Sequence, residues 1–266
     1  MKRTSAFIQT INAIGMVAFC AFSSTAFACT TDGWNGTLTG SPVADSPANV
    51  ARVSGLCGME LADEGSVMDT SPVNESTFIA RFYVKGPVSS GTPVIFEAFS
   101  DDAATASLIT VTFDGTNFVF NAGSGDSPDV PGNPTGWNLV EISWASSTGM
   151  SYWVNADAAA EPTPDDPTGS VGASGGTVES VVLGARGTFG GTLTFDDYVS
   201  HRSTPIGGLL AGDANNDGSI NSGDIDMVVN EFLFSNLADG VVDCNLDGAV
   251  NSGDIDCIIG IFLFGN

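Results

Sequence analysis

Basic side chains are scarce in this sequence. Its 266 residues contain 7 Lys and Arg against 31 Asp and Glu, which gives a formal net charge of −24. Binding to nucleic acid or to an anionic membrane surface needs clustered positive charge, which this composition does not supply. His201 is the single histidine, so a Ser-His-Asp triad or a multi-histidine metal site would need an unusual variant. The excess of carboxylates favours a bound cation, Ca²⁺ before others.

Hydrophobic runs of membrane-spanning length are also missing from the N-terminal region. The apolar run Ile11–Phe22 has about 12 residues, whereas a spanning helix needs about 20. Lys2 and Arg3 precede this run, and the small-residue motif Ala26–Ala28 follows it, which is the order of a secretory signal peptide. We therefore predict a signal peptide over residues 1–28, cleaved after Ala28, and a secreted protein. The alternatives are an uncleaved anchor and a lipoprotein that begins at Cys29.

Cysteine is rare but informative. Cys20 would leave with the signal peptide, so four cysteines remain, and four cysteines allow three pairings. The simplest pairing is Cys29–Cys57 and Cys244–Cys257, because each bridge then stays within one predicted domain. Free buried thiols are the alternative.

The last part of the chain contains an internal repeat. Residues 213–226 recur as residues 243–256, an offset of 30 residues. Each copy follows the 12-residue EF-hand calcium loop, with oxygen-bearing side chains at positions 1, 3 and 5 and glycine at position 6. Position 12 is Asp, where the usual signature has Glu. The predicted calcium ligands are Asp213, Asn215, Asp217, Ser219 (through its carbonyl), Asn221 and Asp224, and then Asp243, Asn245, Asp247, Ala249 (through its carbonyl), Asn251 and Asp254.

A helix is predicted after each loop. The apolar residues recur at i, i+3, i+4, i+7 and i+8, the spacing of one helical face. They are Ile225, Val228, Val229, Phe232 and Leu233 in the first copy, and Ile255, Ile258, Ile259, Phe262 and Leu263 in the second.

Two such loops, each followed by one helix, resemble a type I dockerin over residues 212–266. The resemblance implies two bound Ca²⁺ ions and docking onto a cohesin domain of a scaffold or surface protein. It also implies partner-binding residues at loop positions 10 and 11, which are Ser222, Gly223, Ser252 and Gly253. Residues 212–266 contain nine Asp, one Glu and no Lys or Arg. Because these carboxylates repel one another, we expect the metal-free module to be largely unfolded.

Residues 77–202 are predicted to form β-strands separated by turns. Short strands with few helical patterns favour a sandwich of two sheets, so the predicted fold class is mainly β with a small helical module at the end. We predict a β-sandwich domain over residues 29–202 and a linker over 203–211. The predicted strands are 56–61, 77–85, 93–100, 107–113, 117–121, 137–145, 150–156, 178–185 and 192–201.

The segments 71–84 and 191–202 resemble the concanavalin A-like lectin/glucanase jelly roll. The resemblance implies two packed antiparallel sheets and often a concave face that binds glycans. A carbohydrate-binding or scaffold domain is therefore the first hypothesis. A glycoside hydrolase or lyase carried by the dockerin is the second, and a structural surface protein without a glycan ligand is the third.

Few residues of the sandwich qualify as a glycan site. The paired carboxylates that family-16 glycanases carry on one strand are missing, so no catalytic residue is predicted. Alternation along strand 137–145 places Trp144 in the core and Trp137 on the opposite face, near a loop. Trp137 and Trp153 are the candidate sugar contacts, although core packing is the favoured interpretation of both rings.

Four acidic residues and the histidine receive structural interpretations instead. Glu97 and Glu141 each lie within a predicted strand, and we expect them to be solvent-exposed. The pair Asp196–Asp197 is interpreted as a solvated strand end in preference to a third cation site. His201 is expected at the surface.

Overall fold

The computed structural model describes residues 29–31, 34–45, 50–123, 125–155, 167–172 and 175–265. The predicted signal peptide lies outside these residues. Within them the chain forms sixteen strands and two helices. Strands β1 to β16 are Gly36–Thr39, Val43–Asp45, Gly58–Leu61, Gly65–Asp69, Thr77–Lys85, Val88–Ser90, Val94–Phe99, Ser107–Phe113, Asn117–Asn121, Val130–Pro131, Trp137–Ala145, Gly149–Val154, Gly169–Val171, Ser180–Arg186, Gly190–Gly191 and Leu193–His201. Helices α1 and α2 are Ser222–Phe234 and Ser252–Phe264.

Two sheets of seven strands build the larger part of the protein. Sheet 1 has the strand order β1-β4-β14-β7-β8-β9-β10, and sheet 2 has the order β13-β12-β11-β5-β16-β3-β2. A third, two-stranded sheet joins β15 to β6. The pairs within sheets 1 and 2 are antiparallel, for example β11 with β5 and β7 with β14. The predicted fold class, a mainly β sandwich followed by a small helical module, is confirmed.

The main hydrophobic core lies between sheets 1 and 2. Phe82 of β5 stacks on Phe96 of β7 with 5.6 Å between ring centroids, so the two sheets meet directly. Trp144 is buried in this core, as the alternation of strand β11 predicted. Every second residue of a strand points to the same side of its sheet, which explains why Val140, Ile142 and Trp144 share the core.

The outer face of sheet 2 is buried as well. In β5 all residues from Phe78 to Val84 are buried, whereas a half-buried strand would alternate with exposed positions. The cover comes from the C-terminal part of the chain. Tyr83, Trp137 and Leu139 form a second apolar cluster with Val241, and Leu246 packs against that cluster.

The predicted linker, residues 203–211, lies against the outer face of sheet 2. The Leu209 amide donates a hydrogen bond of 2.8 Å to the Tyr83 hydroxyl, and Arg81 Nη1 donates one of 2.9 Å to the Gly207 carbonyl. These two hydrogen bonds hold residues 203–211 against sheet 2, just before α1. The division of the chain at this segment stays a prediction.

The two helices pack on a small core of their own. This core contains Val228 of α1 and Ile258 of α2, and Ile225 and Ile255 pack against it. The two predicted helices are confirmed. Within their apolar faces, Phe232 and Leu233 of α1, and Phe262 and Leu263 of α2, are exposed, because the helices extend beyond the small core.

Candidate calcium loops and the surrounding surface

Each helix begins inside a loop of the internal repeat. Loop 1 is residues 213–224 and loop 2 is residues 243–254. The N-cap residues Asn221 and Asn251 accept hydrogen bonds from the amides of Gly223 and Gly253, at 2.8 and 2.7 Å. The third helical residue of each copy, an Asp, accepts the amide of the cap residue in return, so both helices have a capping box.

Loop 1 is folded around the carboxylate of Asp213. This side chain accepts the amide of Asp217 at 3.0 Å and the amide of Gly218 at 2.8 Å. Asp224 closes the loop from the other end, because its carboxylate accepts the amides of Asn215 at 3.1 Å and Asn221 at 2.8 Å. The carboxylates at the first and last loop positions thereby hold the main-chain amides of the loop from its two ends.

Loop 2 repeats this arrangement bond for bond. Asp243 accepts the amides of Asp247 and Gly248 at 3.0 and 2.6 Å. Asp254 accepts the amides of Asn245 and Asn251 at 3.3 and 2.8 Å. The glycine at position 6 has a positive φ in both loops, +83° at Gly218 and +89° at Gly248, a conformation that residues with a Cβ rarely adopt.

Four of the predicted ligands are carboxylates that the fold removes from water. Asp213, Asp224, Asp243 and Asp254 are all buried. Burial raises the pKa of Asp243 to about 7, and the neighbouring Asp254 and Asp247 carboxylates add to this effect. Charged groups of like sign are costly to bury unless a counter-charge accompanies them.

The donor set fits a hard cation. The side chains at positions 1, 3, 5, 9 and 12 carry only oxygen ligands and amide groups, and Ca²⁺ prefers six to eight oxygens from carboxylates, carbonyls and water. Within the described part of the chain, His, Cys, Asp and Glu alone form no group of three or more that could hold a metal. Asparagine and main-chain oxygens, such as the carbonyls of Ser219 and Ala249, would therefore have to complete each shell. The twelve-residue ligand set stays a prediction.

The predicted partner-binding residues lie in the first turn of each helix. Ser222 and Ser252 are exposed, and Gly223 and Gly253 are half-buried. The sequence around them is identical in the two copies, so the module presents the same small polar surface twice. Their role in binding stays a prediction.

Both predicted disulfides are confirmed. Cys29 bonds to Cys57 next to β3, and Cys244 of loop 2 bonds to Cys257 of α2. The first bridge ties the N-terminal segment to the sandwich, and the second ties the second loop to its own helix.

The predicted glycan contacts are not open to solvent. Trp137 is 2 % exposed and Trp153 is 4 % exposed. Trp137 starts β11, but Val241 and Leu246 of the C-terminal module cover the face on which it lies. Both rings are packed inside the protein, and because sugar stacking needs an accessible ring face, neither is placed to contact a sugar.

Four acidic residues of the sandwich, Glu97, Glu141, Asp196 and Asp197, have partners inside the protein and are not solvent-exposed, contrary to the expectation. Glu141 is buried on the outer face of sheet 2, where it accepts the amides of Ile206 and Gly207 at 3.1 and 2.8 Å. Glu97 is buried and forms an ion pair with Arg186. Asp196, at the predicted solvated end, accepts the amides of Val53 and Ser54 at 2.6 and 2.9 Å. Its neighbour Asp197 forms an ion pair with Arg81 at 2.5 Å. His201 is exposed, as expected.

The contacts between module and sandwich were not foreseen from the sequence. The guanidinium of Arg52 donates to both carboxylate oxygens of Glu231 at 2.9 and 2.7 Å, and both side chains are buried. The Trp137 amide donates to the Leu246 carbonyl at 2.8 Å, and the Gly55 amide donates to the Asp239 carbonyl at 2.9 Å. Partners this far apart in the sequence leave no local signal that could have revealed them.

No helix among the described residues has both the length and the apolar character that crossing a membrane requires.

A comparison with curated proteins found no match. Three solved structures resemble the chain at low identity, with TM-scores below 0.5. The Botulinum Neurotoxin Type G Receptor Binding Domain is 10% identical with a TM-score of 0.42, and the match covers 67% of this chain and 45% of that one. The Cellulose induced protein, Cip1, is 15% identical with a TM-score of 0.48, covering 69% and 92%. A Trypanosoma rangeli sialidase is 14% identical with a TM-score of 0.40, covering 60% and 30%.

The chain thus spans less than half the length of the receptor-binding domain that it matches. The family model described as the dockerin type I domain matches residues 211–263, which contain both loops and nearly all of both helices. Dockerin domains bind calcium and cohesin domains, and proteins that carry them are typically extracellular. Residues 211–263 therefore form a dockerin type I domain, which follows a β-sandwich.

Proposed function

We propose that the dockerin domain holds two Ca²⁺ ions, one in each loop, and attaches the β-sandwich to a cohesin-bearing extracellular assembly. The observation that carries this proposal is the duplicated loop, in which two buried carboxylates accept main-chain amides of the loop where a capped helix begins. Ser222 and Ser252 are position 10 of these loops and begin the two helices, where the metal would fix the backbone. The ligand role of each residue and the partner surface are part of the proposal.

Calcium supplies positive charge that the module lacks. Residues 212–266 contain nine Asp and one Glu without a basic residue, and four of these Asp are buried. Extracellular calcium modules bind with dissociation constants of about 10⁻⁴–10⁻³ M, so the loops would stay filled outside a cell. The metal is then a permanent structural part and not a signal.

Calorimetric titration of the full chain with CaCl₂ tests the metal sites. We expect an uptake of two equivalents, and circular dichroism should show a loss of helical signal when EGTA is added. Replacing Asp224 with Asn should remove one equivalent, and replacing Asp254 with Asn should remove the other, so the two variants control for each other. A titration without calcium uptake would contradict the proposal.

Retention on immobilised cohesin domains tests the partner. The chain should be retained in calcium and released by EGTA, and the double variant Ser222→Asp, Ser252→Asp should not be retained although it still takes up calcium. Retention of this double variant equal to that of the unmodified chain would rule out the surface proposed here.

The β-sandwich is the proposed cargo, with polysaccharide recognition as its first candidate activity. A glycan array on the full chain, followed by measurement of reducing-sugar release on any hit, separates the alternatives. Binding without turnover supports a carbohydrate-binding domain, turnover supports a glycoside hydrolase or lyase, and neither supports a structural domain.

A further inference from the structure

The two calcium loops have different surroundings despite their common internal structure. In loop 1, Asn216 and Gly218 are exposed, and a Cβ added at Gly218 would meet nothing within 4 Å. In loop 2, the matching residues Leu246 and Gly248 are partly buried, and a Cβ added at Gly248 would overlap Lys85 Nζ of the sandwich. Loop 2 is therefore in contact with sheet 2, and the matching surface of loop 1 is not.

The repeat diverges in sequence where loop 2 meets the sandwich. Position 4 is Asn216 in loop 1 and Leu246 in loop 2, and both have a left-handed backbone, with φ of 57° and 55°. Asn tolerates this conformation, whereas an ordinary side chain such as Leu adopts it at a cost of about 1–2 kcal/mol. Packing of Leu246 against the cluster of Tyr83, Trp137 and Leu139 offsets that cost.

A second divergence occurs at the end of the helices. Glu231 of α1 is buried in its ion pair with Arg52 of the sandwich. The matching residue of α2 is Ile261, which packs against the module's own core. The first copy contributes a charged residue to the contact with the sandwich at this position, and the second copy keeps an apolar one.

The backbones also approach one another closely at loop 2. The Trp137 amide donates to the Leu246 carbonyl at 2.8 Å, and a Cβ added at Gly136 would lie only 2.3 Å from that same carbonyl oxygen. Such an approach is possible because the sandwich has glycine at the point of contact.

We infer that loop 2 is an intramolecular docking element. Calcium in loop 2 fixes the backbone that presents Leu246 and its carbonyl to sheet 2, and so holds the module on the sandwich. Loop 1, whose matching surface is free, is left for an outside partner. This inference rests on the proposed function, because it requires that the loops bind calcium.

Limited trypsin digestion of the full chain measures the docked state. Arg52 is buried under Glu231, so cleavage after Arg52 should be slow in calcium and at least about tenfold faster in EGTA. The variant Leu246→Asn installs the residue that loop 1 carries at the same backbone conformation. It should expose Arg52 in the presence of calcium, increase the radius of gyration in X-ray scattering, and still take up as much calcium as the unmodified chain.

The matched control is Asn216→Leu, which makes the reciprocal change in loop 1 and should leave Arg52 protected. A second variant, Lys85→Ala, leaves the module unchanged and should also speed cleavage after Arg52 in calcium. The inference is wrong if Arg52 is as protected in Leu246→Asn and Lys85→Ala as it is in Asn216→Leu. It is also wrong if EGTA leaves Arg52 protected in a chain that does bind calcium. In both cases the proposed function stands. Absence of calcium uptake by the unmodified chain would overturn both.

Discussion

The carboxyl groups that the fold withdraws from water differ in what lies opposite them. Glu231 is buried and faces the guanidinium of Arg52, whereas the half-buried Asp196 accepts hydrogen bonds from the main-chain amides of Val53 and Ser54. Two amides do not replace the water that burial removes, so burial raises the pKa of Asp196 to about 7, and the charge of Asp197 adds to the effect.

The raised pKa of Asp196 predicts a pH dependence of stability. Between about pH 4 and pH 7 the folded chain keeps a proton on Asp196 that the unfolded chain has released, so this group's contribution to stability falls as the pH rises through that range. We compare the unfolding free energy of the unmodified chain with that of Asp196→Asn. The unmodified chain minus the variant should be about 2 kcal/mol larger at pH 5 than at pH 8. Urea denaturation at saturating calcium measures the difference.

Replacing the exposed Asp102 with Asn is the control for this experiment. It removes one carboxyl from the surface, and so corrects for the loss of one negative charge at a site remote from Val53 and Ser54. Parallel pH profiles for Asp196→Asn and the unmodified chain would show that the Asp196 carboxyl does not titrate in this range.

At the scale of single elements, the sequence pattern predicted those strands and helices whose position depends on neighbouring residues in the chain. Strands β5, β8, β9 and β11 have the bounds that alternation and turn residues predicted, and the calcium-loop spacing located both helices. The strands β1, β2, β10 and β15, of two to four residues, were missed, because so short a segment has no clear periodicity and is held by distant partners. The burial of Trp137 and Glu141 depends on the C-terminal module, which no property of β11 itself could reveal.

The bridge between Cys244 and Cys257 gives α2 a stabilisation that α1 does not have. The matching residues of the first copy are Ala214 and Met227, so the double variant Cys244→Ala, Cys257→Met gives the second copy the pair of the first. Closing a loop of this length typically contributes about 3 kcal/mol. The unfolding free energy of the helices should fall by about 3 kcal/mol in this variant. Denaturation at saturating calcium, monitored by circular dichroism, measures it.

The pair Cys29→Ala, Cys57→Ala is the matched control, because that bridge lies at the N-terminal edge of the sandwich. It should leave helix unfolding close to that of the unmodified chain. Equal losses from both double variants would mean that the second bridge does not act on the module locally.

At the scale of the whole molecule, the module and the sandwich share buried polar contacts. The carboxylate of Glu231 accepts from Arg52 across the contact and from the Ala238 amide within the module. Removing one partner of a buried ion pair leaves the other charge unpaired, which typically costs about 3–5 kcal/mol, whereas an exposed pair contributes about 0–1 kcal/mol. The pair between Arg202 and Glu75 is such a partly exposed reference within the same chain.

Glu231→Gln should therefore destabilise the protein by about 3 kcal/mol, and Glu75→Gln by less than about 1 kcal/mol, in denaturation at saturating calcium. The double variant Arg52→Met, Glu231→Met removes both charges and should recover a large part of the loss, because no charge is left buried without a partner. Since Glu231 belongs to α1 and Arg52 to the sandwich, the loss should also appear as faster tryptic cleavage after Arg52. If Glu231→Gln and Glu75→Gln have equal effects, the contact between module and sandwich does not depend on this ion pair.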